Sequence, residues 1–180
     1  MSRPFLTSSF TLIIALAMVI FSCHRPENDP DPNDGSIEKT EKIKKIKTEF
    51  LISGIKNKSW VVFRYFVNGQ DLTQFVEDCN LDNILIFYNK GGYSQLDGPE
   101  KCYDYRSDVY DCGSWSLNDS ATIFHMKGIE FNEKLEIIEL KSDLMRLEFD
   151  SDSLGVVQFH LQPIKFNAPA YKCEPDKIIK

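Results

Sequence analysis

The sequence lacks a basic excess. Its 21 Lys and Arg are outnumbered by 27 Asp and Glu, a net charge of −6 over 180 residues. Such a chain offers no cationic surface to neutralise phosphates, which argues against a nucleic-acid partner. It also lacks an apolar run of the roughly 20 residues that a membrane-crossing helix needs. There is no Gly-x-Ser-x-Gly elbow and no glycine loop able to cradle a phosphate, so no enzyme activity and no cofactor are expected. No Cys-x-x-Cys pair occurs, which removes the thioredoxin-type redox motif and the usual spacing of a zinc site; no metal is expected. What is present is one domain's worth of chain, 42% apolar and 12% aromatic, enough to build a core.

Residues 1–22 read as an export signal and not as part of the fold. Arg3 supplies a positive start, and residues 10–21 (FTLIIALAMVIF) form an uncharged run. As a helix that run would reach about 18 Å, short of the bilayer core. It ends in Ile20, Phe21, Ser22 and Cys23, which resembles the lipobox of bacterial lipoproteins. The resemblance implies cleavage before Cys23 and acylation of that cysteine, and hence a membrane attachment through lipid. His24 follows, and the absence of Asp there implies the outer membrane by the sorting rules of such proteins.

Residues 23–36 continue as an acidic tether rich in Pro, Asp and Asn, with no large apolar side chain to offset the entropy of ordering. Asp29, Asp31 and Asn33 have the first spacings of a calcium loop, but Asp34 stands where Gly is required and Thr40 where Glu is required, so no calcium site is expected. Residues 37–57 carry Ile43, Ile46 and Phe50 at helical spacing and should form an amphipathic helix that ends near Gly54 and packs this stripe on the domain. The alternative is a basic helix lying on a membrane surface.

From residue 58 the apolar period changes from helical to two. Runs at 59–67, 84–88, 93–96, 114–117, 122–126, 134–140, 144–149 and 154–161 are separated by turn residues such as Asn68-Gly69, Gly91-Gly92 and Asp150. Met145, Leu147 and Phe149 share one face; Val157, Phe159 and Leu161 share another. No helical segment long enough for a crossover interrupts these runs, which disfavours a parallel sheet. The expected fold is all-β: an eight-stranded antiparallel up-and-down barrel over residues 58–166 with a short N-terminal helix, a two-sheet sandwich being the alternative. The first strand is apolar on both faces apart from Arg64, so its outer side needs a cover, and the preceding helix is the expected one.

Further strings point to a family. They are Ser59-Trp60, then Asn68 to Thr73 (NGQDLT), Cys79 to Asn83 (CNLDN), Phe87, Gly92-Tyr93, Lys101-Cys102 and Gly113 to Leu117 (GSWSL). In this order and spacing they resemble the lipocalin-like domain of many lipoproteins from Gram-negative anaerobes. The resemblance covers about half the chain and implies a lipocalin-like barrel. It implies no activity. Cys112 and Cys173 depart from its pattern. With Cys23 acylated, four cysteines are left, an even set that reads as two disulfides with three connectivities open. The resemblance favours Cys79 with Cys102, which leaves Cys112 with Cys173 and would strap residues 167–180 across the barrel.

The histidines offer little chemistry. His24 falls in the tether, and His125 and His160 fall on separate strands. Asp104, Asp108 and Asp111 lie in one loop, where acids are expected to face water. Asp119-Ser120-Ala121 and Asp152-Ser153-Leu154 resemble an O-glycosylation signal of some envelope bacteria. Two functions follow for an envelope lipoprotein. In one, the barrel binds a small hydrophobic ligand among Trp60, Phe63, Phe87, Trp115, Phe149 and Phe159. In the other, those aromatics fill the barrel and its surface, notably Tyr103, Tyr105 and Tyr110, binds an envelope protein partner. An interior void of about 300 Å³ or more would favour the ligand.

Overall fold

The computed structural model describes residues 36–102, 109–170 and 173. The expected export signal and tether, Cys23, and the side chains of Tyr103, Tyr105 and Tyr110 lie outside the described residues. Helix α1 (Ser36–Ser53) leads into β1 (Asn57–Val67) and the two-residue β2 (Gln70–Asp71). A 3-10 turn (Thr73–Phe75) and the single turn α2 (Asp78–Leu81) come next. Then follow β3 (Ile84–Tyr88), β4 (Gly92–Leu96), β5 (Val109–Leu117), β6 (Ile123–Lys127), β7 (Asn132–Leu140), β8 (Met145–Ser151) and β9 (Gly155–Ile164).

All pairings are antiparallel, and each strand from β3 to β9 pairs with the next. Strand β1 closes the ring. Its first residues pair with β3 (Ser59 opposite Ile86), and nearly its whole length pairs with β9 (Ser59 opposite Ile164, Val67 opposite Val157). The result is a closed eight-stranded barrel with β2 as an appendage on β1. Closure through β1 and β9 rules out the sandwich, because a sandwich keeps two separate sheets.

Two turns show how the sequence sets the chain path. Gly54 has φ +64° and its N–H donates to the Phe50 carbonyl at 2.8 Å, a left-handed cap that ends α1. Asn68 and Gly69 both have positive φ, 51° and 78°, as a two-residue hairpin turn of the primed kind requires. The Asn68 amide also donates to the Leu154 carbonyl and accepts from the Val156 N–H, tying this turn to the one between β8 and β9.

Helix α1 packs on the barrel through a different face from the one expected. Ile43, Ile46 and Phe50 are 47%, 56% and 56% exposed, whereas Ile52 is fully buried and Lys45, Thr48 and Glu49 are half-buried. The reason is polar anchoring. The Trp60 indole N–H donates to the Ile52 carbonyl at 2.9 Å, the Lys58 ammonium donates to the carbonyls of Leu51 and Ser142, and Lys45 meets Asp119 at 3.2 Å. These contacts lay the helix across the barrel end that carries the β5–β6 and β7–β8 turns. Lys58 also stands 4.1 Å from the centre of the Trp60 ring.

The cover of β1 differs too. The outer apolar cluster contains Ile84, Ile86, Tyr88 and Leu96, with Val61, Val109, Ile164 and Ala168 packed against it. Ala168 follows β9, and the Tyr88 hydroxyl donates to the Pro169 carbonyl at 3.0 Å. The chain beyond β9, and not α1, therefore shields this side. The disulfide between Cys112 and Cys173 holds it there. The second disulfide joins Cys79 to Cys102.

Candidate ligand-binding cavity

Alternation sends every second side chain of each strand into the barrel, and the packing of that interior differs from one end to the other. Near α1 the interior is packed solid. Trp60, Phe87, Tyr93, Trp115 and Phe124 are all buried, with Leu117, Met145 and Ile52 in the same cluster. Phe87 sits edge-on to Phe124 and Trp115, with ring centres 5.2 and 6.1 Å apart. The Trp115 indole N–H finds the Tyr88 carbonyl at 3.1 Å, so neither indole of the barrel is left without a partner. Such a floor is rigid, because interdigitated aromatics leave little room to shift.

Toward the opposite end the interior is empty. A cavity of about 440 Å³ begins at Phe87, Met126, Leu135 and Leu161 and is walled by Val62, Leu85, Leu147 and Phe159. The segment between β2 and β3 overhangs it, contributing Val76, Asn80, Leu81 and Asn83. Phe131, from the β6–β7 turn, completes the rim with Tyr65 and Gln95. Among the described residues none that lines the cavity carries a charge.

The overhanging segment is held at both ends. At its start, the Thr73 hydroxyl accepts from the Tyr65 N–H at 2.9 Å, and the Leu72 N–H reaches the Tyr65 carbonyl at 2.9 Å. At its end, Cys79 is bonded to Cys102 and the Asp82 carboxylate accepts from the Glu100 N–H at 2.8 Å. Between these ties the segment is two short helical pieces with no fully buried residue. Glu77 stands beside Cys79 and Cys102, a grouping that suggests a metal, but both sulfurs are spent in the disulfide.

Asn83 differs from Asn80 and Gln95, the other amides of the lining. It is 8% exposed, and its Oδ1 is buried with no hydrogen-bond partner.

Of the six aromatics expected to bind a ligand, Phe87 and Phe159 line the cavity. Trp60 and Trp115 belong to the packed floor. Phe149 stacks on Phe159 at 5.8 Å and edge-on to Phe131 at 6.4 Å, supporting the wall from beside it. Phe63 is outside. Alternation from inward Trp60 and Val62 already places it there. The bulge between Val62 and Arg64 then shifts the register against β9, so that Tyr65 points inward where unbroken alternation would have put Arg64. Phe63 instead meets His160, with ring centres 6.2 Å apart.

The outer face of β8 and β9 carries a charged cluster remote from the cavity. The Arg146 guanidinium donates to His160 Nε2 at 3.2 Å and to Glu139 at 3.0 Å. Burial, and then the positive charges of Arg146 and Arg64, hold the His160 imidazole below its ordinary range, while Asp71 and Glu139 pull the other way. Burial likewise lowers Lys58, against the pull of Asp143. His125 lies on β6, so the two strand histidines do not converge. Asp111 departs from the expectation that the loop acids face water: it is 1% exposed. Asp104 and Asp108 lie outside the described residues.

No protein-family profile and no curated protein matches this chain.

Proposed function

We propose that this protein is a lipid-anchored envelope protein whose lipocalin-like barrel carries a small, largely apolar molecule in the cavity between Phe87 and the segment that overhangs it. One observation bears most of the weight: an uncharged hollow of about 440 Å³ stands above a solid aromatic floor. Cavities of this size, mostly apolar with a few polar groups at one end, suit one small ligand. A barrel serving only as a surface module gains nothing from leaving such a hollow unfilled, since each unfilled void forfeits packing contacts.

The test is direct titration of purified protein with neutral apolar molecules, followed by calorimetry and by the fluorescence of Trp115, which packs on cavity-lining Phe87. Saturable one-site binding is expected. Val62→Phe and Leu85→Phe narrow the hollow and should abolish binding while the fold persists. Unchanged binding in both variants would remove the cavity from consideration.

The anchored location rests on Cys23 and on α1. The outward stripe of Ile43, Ile46 and Phe50 shares its side of the helix with Lys39, Lys42 and Lys47, at about 100° per residue. Glu38, Glu41 and Glu49 fall toward the barrel on the same wheel. A basic, apolar face of this kind suits an anionic bilayer surface, and residues 24–35 are long enough to join it to a lipidated Cys23. Incorporation of labelled palmitate at Cys23 in cells, lost in Cys23→Ser, tests the anchor. Partition of the mature chain onto vesicles containing phosphatidylglycerol tests the helix.

A further inference from the structure

The cavity has a polar end, and its chemistry discriminates among head groups. Three amides meet there: Asn80, Asn83 and Gln95. Asn80 Nδ2 already leans on Glu77 at 3.5 Å. Asn83 is more than nine-tenths buried and its oxygen has no partner. A buried acceptor left in that state is costly, and the cost is recovered when a donor arrives. Rotation about the last side-chain torsion of Asn, a broad two-fold torsion, turns the oxygen to the hollow without moving the backbone.

Among the described residues the lining offers nothing for an anion. Among the described residues no Lys, Arg or His lines the cavity, and the Asp82 carboxylate sits in the chain between two lining residues, Leu81 and Asn83. One Asp82 oxygen accepts from Glu100, and the other is buried without a partner. A carboxylate head entering here would lose its water and gain no cation from the lining, which opposes binding.

We propose that the cavity selects an uncharged amphiphile whose head donates a hydrogen bond to Asn83, a primary alcohol, sterol hydroxyl or amide, over a fatty-acid anion of the same length. This rests on the ligand-binding reading of the cavity and goes beyond it by naming the head group. Asn83 supplies the acceptor; the apolar wall takes the tail.

The experiment compares three probes on the full mature protein near pH 8: 1-dodecanol, dodecyl methyl ether, which has no donor, and dodecanoate. The alcohol should bind about tenfold more tightly than the ether, the span expected for one buried hydrogen bond, and dodecanoate should bind weakest. Asn83→Leu should erase the preference of alcohol over ether while the ether still binds. Equal affinities for alcohol and ether, or tighter binding of dodecanoate, overturn the head-group assignment and leave the cavity reading standing. Failure of all three to bind overturns both. Should Asn83→Leu not fold, the three-probe series on the unaltered protein decides the question alone.

Discussion

The Tyr93 hydroxyl donates to the Asp111 carboxylate at 2.7 Å inside the barrel wall, joining β4 to β5. Asp111 also accepts from the backbone N–H groups of Cys112 and Ile129, at 2.9 Å each, and of Glu130 at 3.3 Å. One buried carboxylate thus satisfies a hydroxyl and three amides, two of them in the β6–β7 turn. Gly128 begins that turn because a Cβ there would lie 1.8 Å from the Tyr93 oxygen.

The first prediction follows from that arrangement. Asp111→Ala leaves four donors in want of an acceptor and should cost about 3 kcal/mol or more, whereas Tyr93→Phe removes one hydrogen bond and should cost about 1–2 kcal/mol. Urea unfolding followed by circular dichroism measures both. Equal effects would mean that the turn amides find other partners.

The two disulfides should separate by function. Replacing Cys112 and Cys173 by Ser frees a loop of 61 residues' separation, and replacing Cys79 and Cys102 frees one of 23. Loop entropy predicts losses of about 4 and about 3 kcal/mol. Only the second pair ties down the segment over the cavity, so only its removal should speed ligand release, seen as a faster off-rate in stopped-flow displacement. Equal off-rates in both variants would detach that segment from ligand entry.

Protonation of His160 should weaken the fold. Its pKa in the folded protein lies below the ordinary 6.5, so the unfolded chain binds the proton more readily. Stability from this group is therefore full above about pH 6.5 and falls as pH drops through the folded value. Guanidine midpoints between pH 5 and 8 should show that slope, and His160→Gln should flatten it. A slope unchanged in the variant would assign it to other groups.

The two faces of α1 make opposite predictions. Ile52→Ser introduces an unsatisfied hydroxyl and a gap into the packed floor and should cost about 2–4 kcal/mol. Ile43→Ser, Ile46→Ser and Phe50→Ser together should leave the melting temperature nearly unchanged, since all three residues are exposed. If the helix lies on the bilayer, only the triple variant loses vesicle binding. Vesicle binding retained in the triple variant would remove this face of α1 from any membrane contact.

Much of the barrel was legible because its strands alternate. The clean in-and-out pattern of Met145, Leu147 and Phe149, and of Val157, Phe159 and Leu161, fixes two inward faces, and the turn residues fix where strands end. The pattern fails where a register shift enters. Phe63, of opposite parity to Trp60, is outward by alternation alone, but nothing in the string VVFRY announces the bulge that turns Arg64 outward and Tyr65 inward. Helical spacing in α1 identified an apolar stripe but not its destination, because the contacts that orient the helix are polar ones made by Lys45, Lys58 and Trp60 with distant turns. The polar end of the cavity was missed for a similar reason. Residues 76–83 have no periodicity, and the string Cys79 to Asn83 was read only as part of a family resemblance, which says nothing of where its amides point.

Because β1 is bonded to both β3 and β9, the first strand of the barrel waits for the last. Until the C-terminal strand is in place, β1 carries a long unpaired edge rich in Val and Phe, the kind of surface that templates aggregation. The topology consequently places the slowest event of folding at the final ring closure, which joins strands about a hundred residues apart.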